Sequence, residues 1–129
     1  LLKDCPLLAN VARAVVFASG DTPVTAKIRI GWDAHSVNAL ETARILEAEG
    51  ISRLAVHGRT KAQGYTGLAD WDVIASVAES VAIPVIGNGD IDSADVALKR
   101  LRETKVAGLM IGRYAMSHPW IFSEIRKHP

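Results

Sequence analysis

Four short runs rich in β-branched residues, Val24 to Ile30, Leu54 to His57, Pro84 to Gly87 and Gly108 to Ile111, recur along the chain, each followed by a polar turn and a helix-like segment. Runs of four to eight such residues alternating with helical periodicity predict parallel strands joined by crossover helices. The runs start about 30, 30 and 25 residues apart, close to the period of a barrel built from eight strand-helix units in roughly 250 residues. Four units predict half of a TIM-type (β/α)8 barrel, an α/β fold.

The intervening helices carry their own signals. Asp33 to Glu49 places Val37, Leu40, Ile45 and Leu46 toward one face, and Gly50 offers a stop. Asp4 to Ala18 has the same character. Asp70-Trp71-Asp72 and Asp92-Ser93-Ala94-Asp95 open two more helices with acids in the first turn, where they favour the helix dipole. Pro23 and Pro84 stand just before strand runs, where a missing N–H does little harm. The basic stretch Lys99 to Lys105 reads as a solvated helix face.

Composition narrows the function classes. Fifteen Lys and Arg oppose fourteen Asp and Glu, a net charge of +1, so no general basic surface announces nucleic acid. Any RNA contact has to come from a few placed cations or from sequence outside this chain. The one cysteine, Cys5, cannot form an internal disulfide, and Cys/His metal spacing is absent. With no run of roughly 20 apolar residues, the expectation is a cytoplasmic protein without a membrane span. The opening Leu1-Leu2-Lys3-Asp4, leading straight into a helix, suggests a reading that begins inside a domain.

In a parallel strand-helix array, functional groups collect at the carboxyl ends of the strands. The first strand ends Lys27-Ile28-Arg29, and period-2 geometry puts both cations on one side with Thr25. The second ends His57-Gly58-Arg59-Thr60 and opens a long loop through Lys61, Gln63, Gly64, Tyr65 and Gly67, a length that invites a functional role. The third ends Gly87-Asn88-Gly89-Asp90 and the fourth Ile111-Gly112-Arg113. Glycines allow close backbone approach and a guanidinium can clasp phosphate through two parallel bonds, so the last two ends predict one phosphate site. Barrels often bind phosphate after strands seven and eight, which would make these strands five to eight.

The motifs His57-Gly58-Arg59-Thr60, Ala69-Asp70-Trp71, Ile86-Gly87-Asn88-Gly89-Asp90-Ile91 and Met110-Ile111-Gly112-Arg113, extended by Lys27-Ile28-Arg29 and Pro119-Trp120-Ile121-Phe122, resemble the tRNA-dihydrouridine synthases in order and separation over essentially the whole chain. The resemblance implies a partial flavin-binding barrel domain over residues 1–129. It further implies FMN as cofactor, NADPH as reductant and tRNA as partner. Hydride passes from the reduced flavin to C6 of a uracil, and a cysteine protonates C5. By position it places Lys27 beside the flavin ring, His57 at the flavin or its phosphate side, and Asn88, Gly89, Asp90, Gly112 and Arg113 around the ribityl phosphate. Arg29 is expected to face the uracil, and Arg59 and Lys61 to meet RNA phosphate.

No catalytic residue is expected within this chain. The family's cysteine belongs to an Asn-x-Gly-Cys-Pro motif on an earlier strand, and Cys5-Pro6 lacks the Asn and Gly. The first strands and the helical tRNA-gripping domain of the family also fall outside it, so the isolated chain is expected to be inactive. Tyr114 stands where the family often has a small residue. Two alternatives stay open at this stage. One is a phosphate-binding barrel isomerase, which leaves the Lys27 and His57 motifs unexplained. The other is a non-catalytic half-barrel whose open strand edges drive self-association.

Overall fold

A computed structural model describes residues 1–127. Its elements run α1 (Cys5–Ser19), β1 (Thr25–Arg29), α2 (Ala39–Ala48), β2 (Arg53–His57), α3 (Trp71–Ser80), β3 (Val85–Asn88), α4 (Ala94–Glu103), β4 (Gly108–Met110), α5 (Arg113–Ser117) and α6 (Ile121–Lys127). The four strands form one parallel sheet in chain order β1-β2-β3-β4. Thr25 pairs with Arg53 and Arg29 with His57, then His57 with Asn88 and Asn88 with Met110, so the four strand ends lie in register.

The pleat divides the sheet chemically. Ile28, Leu54, Val56 and Val85 join Ala39, Ala43, Leu46, Trp71, Ile74, Val77 and Ala97 in one buried cluster against the helices. Residues of the other parity, Thr25, Lys27, Arg29, Arg53, Ala55, His57, Ile86 and Asn88, line the opposite, concave side. Continuous apolar runs would suit a sheet covered on both faces. Here the polar residues at alternate positions mark the inner surface of a half-barrel.

Local chemistry sets the helix boundaries. Side chains of Asp4, Asp70 and Ser93 accept from the backbone N–H groups of Leu7, Val73 and Val96 at 2.9, 3.0 and 3.2 Å, occupying donors that a first turn leaves unpaired. Ser93, not Asp92, is therefore the cap of α4. Glu47 Oε1 accepts from the N–H groups of Ala82 and Ile83 at 2.6 and 3.0 Å, tying the end of α2 to the approach of β3.

The expected helix from Asp33 starts instead at Ala39. Asp33 Oδ1 accepts from Ser36 Oγ at 2.8 Å and from His35 N at 3.0 Å, a local turn that competes with helix. Val37 then bridges back to Gly31, and Asn38 N–H donates to Ile30 O at 3.0 Å. The strands also differ by a residue or two from the sequence reading. Val24 and Ile30 lie outside β1, and β3 runs on through Asn88.

Trp71 fixes the seat of α3 on β3. Its indole is 4% exposed, and its Nε1 donates to Gly89 O at 3.0 Å. A Cβ at Gly87 would stand 2.6 Å from two atoms of that ring. Gly87 is thus the floor on which the indole lies, which explains the glycine in mid-strand.

Candidate functional site

The strand ends and their loops enclose an open cleft of about 710 Å³. Of the residues singled out in the sequence, Lys27, Arg29, His57, Arg59, Asn88, Gly89, Asp90, Gly112 and Arg113 line it. Lys61 does not. Its Nζ lies 5.8 Å from the Trp32 ring centroid, with Lys3 Nζ at 4.4 Å from the same ring.

On the β1 side, Arg29 is held in place by main-chain carbonyls, its Nη1 donating to Thr60 O at 2.8 Å and Gly64 O at 2.9 Å. Burial, with the nearby Arg29 charge, lowers the Lys27 ammonium pKa from its ordinary value. His57, buried on the neighbouring strand, is pushed down to about 4 by burial first and then by Arg29, Lys27 and Arg59, with Asp90 opposing. The imidazole is neutral near pH 7, so one ring nitrogen donates and the other accepts.

The loop between β2 and α3 is closed at its base by Asp70 N–H donating to Gly58 O at 2.6 Å. A side chain at Gly58 would meet the Asp70 backbone at 2.9 Å. Arg59 turns inward rather than out toward solvent, with its side chain only 3% exposed. Its Nε donates to Thr66 O at 3.1 Å and its Nη2 to Gly67 O at 2.6 Å, and Nη2 lies 2.8 Å from Asp90 Oδ1. The guanidinium expected to reach RNA is thus committed to shaping the loop. Only its buried Nη1 is without a partner.

That loop carries a residue the sequence reading quoted but did not place in the site. The Tyr65 ring lies 4.5 Å from Arg113 Cζ, 5.8 Å from Arg29 Cζ and 6.4 Å from the His57 ring. An aromatic between two loop glycines was the available signal. Without the fold, nothing in the chain brings position 65 near position 113.

At the far wall, Asn88 Nδ2 donates to Met110 O at 2.7 Å, joining the ends of β3 and β4. Gly112 has open space where a Cβ would project, and the Arg113 side chain is 59% exposed. Burial raises the Asp90 carboxyl pKa, but the Ala69 N–H, Arg59 and Arg113 outweigh it and hold the group below its ordinary 3.8. The cleft therefore gathers Lys27, Arg29 and Arg113 around a neutral imidazole, and its one strongly engaged carboxylate is neutralised by Arg59. Such a lining suits an anionic ligand.

The dihydrouridine synthase family model matches residues 1–129. The chain belongs to the dihydrouridine synthase family. Among curated relatives, it is 52% identical over 128 residues to the tRNA-dihydrouridine synthase B of Pseudomonas syringae pv. tomato, covering 99% of this chain and 38% of that protein. It is 50% identical over 125 residues to the protein of the same name in Xanthomonas campestris pv. campestris, covering 97% and 37%. In Shewanella oneidensis the identity is 47% over 128 residues, covering 99% and 39%. The chain thus spans less than two fifths of these dihydrouridine synthases. Among solved structures, the BexX/CysO complex of Amycolatopsis orientalis contains a chain that superposes with a TM-score of 0.57 at 21% identity, covering 98% of this chain and 52% of that one. That likeness speaks to fold alone.

Proposed function

We propose that this chain is the part of a tRNA-dihydrouridine synthase, strands five to eight of its barrel, that holds FMN and faces the target uridine in the cytoplasm. The carrying observation is the cleft itself: residues from four separate strand ends, each matching the family's motif, converge on one concave surface. The donor set fits FMN on three grounds. Arg113 is exposed at the cleft and makes no hydrogen bond to Asp90, Gly112 leaves room for a phosphate, and Arg59 Nη1 is buried without a partner.

In this reading Gly112, Arg113 and the Asn88-Gly89-Asp90 turn hold the ribityl phosphate, Asp90 through its backbone. His57, being neutral, can hydrogen-bond to the ring system without adding charge. Lys27 supplies a cation that favours negative charge on the ring. Arg29, held by two carbonyls, and Tyr65 above it present a flat surface to an extruded uracil. Held by these residues, FMN would supply hydride chemistry between NADPH and C6 of the uracil. The acid that protonates C5 comes from outside this chain. Cys5 sits at the start of α1, 3.8 Å from Asn38 Nδ2, and does not line the cleft. Lys61, on the outer side of the loop, remains the candidate for RNA phosphate.

The test is made on the full-length protein. Purified protein should carry flavin absorbance and form dihydrouridine in tRNA with NADPH, and Lys27→Ala should lower the rate by about 100-fold or more, the scale of losing a fixed charge beside a reacting centre. A flavin-free protein would sink the reading, whereas flavin without product would leave the cofactor standing and reopen the substrate.

A further inference from the structure

Asp90 is the point where three strand-end loops meet. It follows β3, accepts from Ala69 N–H of the β2 loop through Oδ2 at 2.6 Å, and faces Arg59 Nη2 of the same loop at 2.8 Å and 3.0 Å through its two oxygens. Arg113 Nη2, after β4, stands 3.9 Å from Oδ1. Among the described residues Asp90 alone, apart from glycines, has a positive φ, 51°. Asp tolerates that conformation better than most residues but still at some strain, which persists where surrounding contacts fix it. Here the hydrogen bonds and ion pairs recorded for Asp90 run through its carboxylate.

The two arginines are held unequally. Arg59 is buried and within hydrogen-bond distance, so removing its counter-ion would leave a buried charge in a dry setting. Arg113 is exposed and too distant for a hydrogen bond, attracted only through space, and it rests against the Tyr65 ring. Asp90 therefore acts on the loop strongly and on Arg113 weakly. A carboxylate in this place also repels an anion bound at Arg113, so it cannot be a phosphate ligand through its side chain.

We propose that Asp90 is a positioning residue: its carboxylate, through Arg59 and the Ala69 N–H, fixes the 59–69 loop and Tyr65 over the cleft, while taking no ligand itself. The kinetic part of this inference rests on the synthase reading above; the structural part does not.

The experiment uses the full-length protein with Asp90→Asn. Amide hydrogen exchange over residues 60–69 should rise, KM for tRNA should rise about tenfold through misplacement of the loop, and the FMN dissociation constant should stay the same or fall. Asp90→Glu, which keeps the charge, should recover part of the loss in KM. A general folding defect would weaken FMN and tRNA together. Loss of FMN affinity with unchanged loop exchange would show Asp90 to be a direct ligand and overturn the proposal, as would unchanged exchange by itself. Should the Asn variant fail to fold, Arg59→Lys gives the same loop readout, because one ammonium cannot serve Thr66 O, Gly67 O and Asp90 at once. A flavin-free parent would remove the synthase reading but leave the exchange measurement decisive here.

Discussion

His57 is held among Arg29, Lys27 and Arg59, and that company, added to burial, keeps its ring neutral down to about pH 4. Free in an unfolded chain it would titrate near 6.5. Between those values the unfolded state binds a proton that the native state does not, so native stability rises with pH. The contribution is complete above about pH 6.5 and is lost as pH falls toward 4. In the full-length protein the urea midpoint should therefore drop more between pH 7 and pH 5 for wild type than for His57→Gln. Equal drops would mean the imidazole does not feel its neighbours as described. Asp90 acts with the same sign at lower pH: its carboxyl is held below the ordinary 3.8, so the stability it adds is present above that value and is lost only in stronger acid.

At the scale of elements, the Trp71 indole on Gly87 sets how α3 lies on β3. Gly87→Ala puts a methyl within 2.6 Å of the ring and should destabilise the full-length protein by about 1–3 kcal/mol, measured by urea unfolding, as overpacking does. A neutral result would show that α3 can slide away at little cost. The same elements show what the sequence made legible. β-branched runs and glycine or proline punctuation were enough for four parallel strands, because period and spacing are local properties. The start of α2 was not legible. Asp33 looks like a helix cap, but its carboxylate is spent on Ser36 and His35, and the choice is decided by the return of Val37 to Gly31. The short α5 carried too little pattern to be read at all. In the cleft, strand-end position was sufficient for Lys27, His57 and Arg113. The inward turn of Arg59 and the approach of Tyr65 depend on how the loop folds over them, which residue identity does not encode locally.

Among the described residues the sheet is open at both ends. β1 and β4 each have one strand neighbour, and Leu7, Val11 and Val15, at helical spacing on α1, are exposed, as are Met116, Trp120 and Phe122 near the other end. Apolar stripes at both ends, together with unpaired strand edges, are surfaces that associate in water. The isolated 129-residue chain should therefore sediment with a concentration-dependent mass, and Val11→Glu should reduce that dependence. A sharp monomer at every concentration would mean the edges are already satisfied. One further consequence follows from how Arg59 holds its loop. Because its guanidinium grips main-chain oxygens of Thr66 and Gly67, the loop's shape is largely independent of the exposed side chains of Lys61 and Ala62, which do not line the cleft. Those positions can be exchanged over generations without dismantling the pocket beneath. A lineage can thus vary the outer face of this loop while inheriting the carbonyl grip beneath it unchanged.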